Sequence, residues 1–159
     1  MEFGVALAIL GAAMAAAMAG TGSAIGVGLA GQGASGVISE DPEKFGKVLL
    51  LEALPGTQGI YGFLGAIMAL QKVGLLGGEV VELTTGQGWQ VLFACLPIAV
   101  AGLTSGIWQG KVSNAGMGVV AKKPAESGKP IILSAMVETY AVLGLLTTIL
   151  LINGIKIGT

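Results

Sequence analysis

Residues 23–62 read SAIGVGLAGQGASGVISEDPEKFGKVLLLEALPGTQGIYG, and residues 105–144 read SGIWQGKVSNAGMGVVAKKPAESGKPIILSAMVETYAVLG. Superposed at a shift of 82 residues, without a gap, they agree at twelve of forty positions: Ser23/Ser105, Ile25/Ile107, Gly28/Gly110, Gly36/Gly118, Val37/Val119, Pro42/Pro124, Gly46/Gly128, Lys47/Lys129, Leu51/Leu133, Ala53/Ala135, Thr57/Thr139 and Gly62/Gly144. A shared bias toward glycine and apolar residues supplies some matches, but not a common proline, lysine and threonine in one register. Each stretch runs apolar, briefly polar, then apolar again, the pattern of a helical hairpin. The chain is a duplicated hairpin, and internal symmetry of this kind is common in membrane transport folds.

Outward from the repeat, apolar stretches extend from Phe3 to Ile38, Phe45 to Leu76, Trp89 to Ala121 and Ile131 to Ile155. Each exceeds the roughly 18 residues that mark a transmembrane helix, and the excess implies tilt or projection beyond the lipid. Polar breaks separate them at Ser39 to Lys44, Gly77 to Gly86 and Lys122 to Ser127. The expected fold is an all-α membrane protein of four transmembrane helices: residues 1–78 form the first hairpin, 79–88 an external loop, and 89–159 the second hairpin. Met1-Glu2-Phe3 carries no positive n-region, so the first stretch reads as a retained helix rather than a cleaved signal peptide. Lys44, Lys47, Lys111, Lys122, Lys123 and Lys129 flank the first and third breaks, whereas only Lys72 and Lys156 lie toward the opposite ends. The positive-inside rule then places both hairpin turns in the cytoplasm and both termini outside.

The bulk composition agrees. Of 159 residues, 53% are hydrophobic and 11% charged, with a mean hydropathy of +0.85, which excludes a soluble globular domain and a disordered chain. A net charge of −1, with no arginine or histidine, lacks the basic patch that nucleic-acid binding requires. The single Cys95 lies in an apolar run and has no second cysteine for an intramolecular disulfide. The 28 glycines exceed twice the number that ordinary usage of roughly 7% would give.

Gly102, Gly106 and Gly110 recur every four residues in the third span, and Gly20, Ala24 and Gly28 hold the same places in the first. That spacing aligns small residues on one face and lets helix backbones approach closely, so these six are the expected packing stripes between the first and third spans and in an oligomer. The series continue to Gly36 and Gly118 through Gln32 and Asn114, read as a hydrogen-bonding level between helices. Gly26 to Gly31 fits the dinucleotide fingerprint by letter, but it follows no strand and opens no βαβ unit, so no nucleotide site is expected.

One acid stands apart. Glu138 lies in Ser134-Ala135-Met136-Val137-Glu138-Thr139-Tyr140, with apolar residues on both sides. An ionised carboxylate near the bilayer centre costs at least roughly 2.5–3.5 kcal/mol on insertion scales, so it must be protonated, paired or bound to a cation. No arginine exists to pair with it, and most lysines lie at loop level. In the second span Pro55 and Gly56 are expected to kink the helix and loosen backbone oxygens. The hydroxyl of Thr57, the amide oxygens of Gln58 and Gln109, a carbonyl near Pro55 and the Glu138 carboxylate make an all-oxygen set, which hard cations prefer. A proton alone would leave those neutral oxygens without a task. The alternative for Gln58 and Gln109 is a plain hydrogen bond between helices. Tyr61, one turn beyond Thr57 on the same face, is placed to donate to Glu138. Glu52, nearer the end of the span, is expected to snorkel or hydrogen-bond at the interface. At the register of Glu138 the first repeat carries Gly56, so each chain has one such carboxylate.

These residues resemble the four-helix proteolipid, or rotor-ring K/c subunit, of V-type ATPases, which arose by duplication of the F-type two-helix hairpin. The resemblance covers essentially the whole chain and is carried by Leu54-Pro55-Gly56-Thr57-Gln58-Gly59-Ile60-Tyr61-Gly62, Gly106-Ile107-Trp108-Gln109-Gly110-Lys111 and Met136-Val137-Glu138-Thr139-Tyr140. The bacterial sodium-translocating type is the most similar. The resemblance implies a Na+ site made by Glu138, Thr57, Gln58, Gln109 and the main-chain oxygen of Leu54, with Tyr61 hydrogen-bonded to Glu138. A ring binding only H+ is the alternative. It further implies a ring of identical protomers in lipid, with the first and third helices inside. The implied partners are an arginine-bearing stator protein in the membrane and central-stalk subunits at the cytoplasmic loops, in a bacterial plasma membrane. A passive structural or channel-forming assembly would instead need a polar face along the first or third helix, where glycine and alanine prevail.

Overall fold

The computed structural model describes residues 3–79 and 81–157. Helix α1 spans Phe3–Glu40, and a 3-10 turn at Pro42–Lys44 leads into α2, Phe45–Ala53. A second 3-10 turn, Leu54–Gly56, joins α2 to α3, Thr57–Lys72. Helix α4 spans Thr85–Lys122, and a 3-10 turn at Pro124–Glu126 precedes α5, Gly128–Gly154. Among the described residues there is no strand, and four helical units are long and apolar enough to cross a membrane, α2 and α3 counting as one. Met1 and Glu2, on which the retained-helix reading partly rests, lie outside the described residues.

The ends of these elements follow local chemistry. Helix α4 begins four residues before Trp89 because Thr84 and Gln87 form a reciprocal capping box: Gln87 N donates to Thr84 Oγ1 at 3.2 Å and Thr84 N to Gln87 Oε1 at 3.0 Å. Helix α3 stops at Lys72 rather than Leu76, where the chain turns through Gly74 and Gly77 at φ 78° and 81°, a backbone region that glycine enters without strain. The two hairpin turns lie side by side. Lys44 Nζ donates to Ala121 O at 2.9 Å and Lys47 Nζ to Pro124 O at 3.1 Å, so lysines of the first turn hold the carbonyls of the second.

Helices α1 and α4 form the centre of the molecule and pack at backbone distance. A methyl placed on Gly22 would sit 2.6 Å from Leu103 Cα, one on Gly11 2.7 Å from Leu92 Cα, and one on Gly106 2.6 Å from Gly22 C. Each α1 residue thus lies level with the α4 residue about 82 positions on, so the helices run parallel with almost no axial stagger. Helix α3 leans on α1, with Gly62 against Ala15 and Ala19, and α5 leans on α4, with Gly144 against Pro97 and Ala101. Without a solvent-driven force inside lipid, such close backbone packing is what holds the helices together.

The expected stripes need one correction. Gly102, Gly106 and Gly110 do face α1, but they meet Ala19, Gly22 and Gly26 rather than Gly20, Ala24 and Gly28. A methyl on Gly20 or Gly28 would meet nothing within 4 Å, and Ala24 is exposed. The reason is rotational: the repeats follow one another like blades of a propeller, so equivalent faces point the same way around the axis instead of toward each other. The hydrogen bond expected at Gln32 and Asn114 is also not formed, since Gln32 is exposed and the Asn114 carboxamide lies against Gly33.

Candidate functional site

Pro55 has no amide hydrogen to donate, and the helix answers by tightening into the 3-10 turn Leu54–Gly56. The turn re-aims the start of α3, directing Thr57, Gln58 and Tyr61 toward α4 and α5. Thr57 Oγ1 donates to Leu54 O at 3.0 Å, and the Thr57 amide donates to the same carbonyl. Gln58 is fully buried; its Nε2 donates to Ser105 Oγ at 3.1 Å and to Gln109 Oε1, while its Oε1 lies 3.5 Å from Thr57 Oγ1. Gln109, also fully buried, extends Nε2 to 3.5 Å from Glu138 Oε2. Glu138 on α5 is half-buried, and its Oε1 accepts from the Tyr61 hydroxyl at 2.6 Å.

Leu54, Thr57, Gln58, Gln109, Glu138 and Tyr61 therefore form one continuous polar chain contributed by the second, third and fourth spans. Two details differ from the oxygen set read in the sequence. The Leu54 carbonyl already accepts twice from Thr57, and Gln109 turns its amide nitrogen, not its oxygen, toward the carboxylate. A half-turn of the carboxamide exchanges the two. Gln58 and Gln109 do hydrogen-bond between helices, and they do so inside the cluster.

Sequence reading missed the serines. Ser105 Oγ donates to the Val137 carbonyl at 3.0 Å while accepting from Gln58, which fastens α5 beside Glu138. Ser23, its counterpart in the first repeat, accepts from the Gly59 amide at 2.7 Å. Ser113 and Ser134, both fully buried, share a hydrogen bond of 2.7 Å nearer the hairpin turns. The Ser23/Ser105 identity in the repeat was the available signal. Glu52 is half-buried, and its Oε1 occupies the space that Gly31 leaves open.

No lysine among the described residues is paired with Glu138. The ion pairs are Lys44 with Asp41, at 3.3 Å, and Lys129 with Glu126, both in the hairpin turns. Lys111 turns away and lies 4.1 Å from the centroid of the Trp108 ring. Among the described residues no group of three His, Cys, Asp or Glu is placed to hold a metal ion. The cluster carries at most one negative charge amid neutral donors and acceptors, so a proton or a monovalent cation leaves it neutral, whereas a divalent cation would leave net charge in lipid.

The ATP synthase C-subunit family matches residues 10–69 and again residues 92–151, two matches displaced by the same 82 residues as the internal repeat. The chain is 46% identical over 149 residues to the V-type sodium ATPase subunit K of Enterococcus hirae, covering 94% of this chain and 92% of that one. It is 42% identical over 149 residues to the A-type ATP synthase subunit K of Methanocaldococcus jannaschii, covering 94% of this chain and 63% of that one. It is 28% identical over 143 residues to the 16 kDa proteolipid of the V-type proton ATPase of Nephrops norvegicus, covering 90% of this chain and 87% of that one.

Proposed function

Because the chain belongs to the ATP synthase C-subunit family, we propose that it is the membrane rotor-ring subunit of a V-type rotary ATPase and carries Na+ by reversible neutralisation of Glu138. Family membership makes it a non-catalytic, multi-pass membrane subunit of a homo-oligomeric ring. The observation that carries the ion reading is the polar chain from Leu54 to Tyr61, which ends on the one intramembrane acid of the second hairpin. The cation is cargo. Glu138 supplies the charge, Thr57 Oγ1, Gln58 Oε1 and the Leu54 carbonyl supply neutral oxygens, and a half-turn of Gln109 brings its Oε1 to the same place. Tyr61 holds the carboxylate in its rotamer.

Neutralised in this way, Glu138 crosses the lipid at a tolerable cost. The ion enters and leaves through half-channels formed with a stator protein in the membrane, whose arginine displaces it, while ATP hydrolysis elsewhere turns the ring. Central-stalk subunits dock on the hairpin turns, which the lysine bias places on the cytoplasmic side of a bacterial plasma membrane. Moving one charge against 100 mV costs about 2.3 kcal/mol, well within reach of a stepwise ATP-driven ring.

The test is carbodiimide labelling of Glu138 in the purified complex at fixed pH. Added Na+ is expected to slow labelling in a saturable way. Labelling indifferent to Na+ would assign the site to protons alone, the V-type alternative.

A further inference from the structure

Resting on the ring reading above, we propose that the junction between two copies of this chain repeats the junction between its own two halves. The face of α4 bearing Thr104 and Trp108 receives the Gly20, Ala24 and Gly28 face of the next copy's α1.

The propeller relation makes the junction inside one copy heterologous: α1 contributes Ala19, Gly22 and Gly26, and α4 contributes the non-equivalent Gly102, Gly106 and Gly110. A heterologous contact leaves one complementary face unused on each side. The repeat identifies both. On α4 the counterparts of Ala19, Gly22 and Gly26 are Ala101, Thr104 and Trp108, with Thr104 exposed and Trp108 59% exposed. On α1 the counterparts of Gly102, Gly106 and Gly110 are Gly20, Ala24 and Gly28, the stripe without a partner in the single copy.

The outer helices say the same. Leu51 and Gln58, fully covered at the first junction, have counterparts Leu133 and Tyr140 that are 63% and 68% exposed. A groove between α4 and α5 is lined by Thr104, Ser105, Trp108, Val137 and Tyr140. Its counterpart, formed by Gly22, Ser23, Gly26, Pro55 and Gln58, is where Gly102 and Gly106 seat within the copy. Because α1 and α4 have almost no axial stagger, repeating the operation does not climb along the membrane normal, and the series closes into a ring instead of a filament. The two junctions are not identical. Thr104 and Trp108 stand where the first junction has glycines, so the copy-to-copy junction is wider by a side chain, which the glycines at 20 and 28 accommodate.

The same operation places Glu52. Its counterpart is the fully buried Ser134, and the Ser113–Ser134 pair of the second half is replaced in the first by Gly31 and Glu52. In the assembly the counterparts of Leu51 and Leu54, Leu133 and Met136 of the adjacent copy, close over Glu52. The second acid thus lies at the copy-to-copy junction, away from the Glu138 cluster.

The contact of Gly22 with Leu103 maps onto Thr104 of one copy and Thr21 of the next. Both threonines hydrogen-bond only to carbonyls of their own helix, so cysteine there breaks no bond between helices. With Cys95 replaced by alanine, Thr21→Cys and Thr104→Cys are introduced together and the intact rotary complex is oxidised in its membrane. Disulfides need Cα atoms within about 4.4–6.8 Å, so the expected result is a reductant-sensitive ladder of dimers, trimers and higher species on denaturing gels. Neither single variant yields dimers. The proposal is overturned by dimers from either single variant, which would mean that like faces meet. It is equally overturned by a ladder from Thr21→Cys with Thr147→Cys, or by no ladder where native mass spectrometry shows an intact ring. Single copies in that spectrum would instead overturn the ring reading itself, and this proposal with it.

Discussion

Tyr61→Phe isolates one bond of the proposed site. The phenol hydroxyl donates to Glu138 Oε1 at 2.6 Å, in the short range of charge-assisted O–H···O− bonds. Phenylalanine keeps the aromatic ring, which packs against the apolar cluster around Ala15 and Ile98, and deletes only the donor. No water is at hand in the hydrocarbon to replace it. A hydrogen bond to a charged group contributes about 1.5–3 kcal/mol, and each 1.4 kcal/mol is ten-fold, so the Na+ concentration that half-protects Glu138 from carbodiimide should rise about 10- to 150-fold. Without the tether the carboxylate swings away from Gln109 and Thr57, and the cation loses its one charged ligand as a fixed point. The assay is a Na+ titration of labelling rate at fixed pH on wild type and variant side by side, with native mass spectrometry confirming that both rings are intact. An unchanged midpoint in an intact variant ring refutes the assigned role of Tyr61, and a tighter one reverses it.

Other perturbations read other parts of the structure. Glu138→Gln should leave the ring assembled and abolish Na+ uptake in reconstituted vesicles; retained uptake would remove Glu138 from the mechanism. Gly106→Leu drives a side chain into the Gly22 and Ser23 backbone, 2.6–2.9 Å away even for a methyl, and should destabilise the fold by about 3 kcal/mol or more, seen as a shifted SDS unfolding curve. For the Ser113–Ser134 hydrogen bond, a double-mutant cycle with alanine should give a coupling of about 0.6–1.7 kcal/mol by the same measurement, each single change costing more than its share of the double.

The four spans were legible because lipid leaves so few options: long apolar runs must be helices, and the 82-residue repeat shows in a common proline, lysine and threonine. The polar residues that gather around Glu138 were legible as well, since Thr57, Gln58 and Gln109 stand out in apolar surroundings. The facing of α1 was not. Spacing of four residues identifies a small-residue stripe but not what it meets, and both Gly20–Gly28 and Ala19–Gly26 satisfy the spacing. Only the rotation between the two halves decides, and that is a tertiary property. Ser105 was overlooked because a serine among glycines looks like one more small residue, although its bonds to Gln58 and Val137 O fasten three spans together.

Gly56, which holds the place that Glu138 fills in the second half, has a mechanical consequence. A ring of duplicated hairpins presents only one loaded carboxylate for every two hairpins that pass the stator. Whatever free energy drives one revolution is shared among half as many ions as in a ring with an acid on every hairpin. Each ion can then be pushed against twice the electrochemical gradient, at about 2.3 kcal/mol for every 100 mV. Leaving the first hairpin without its acid gears the rotor low, trading ions per turn for force on each.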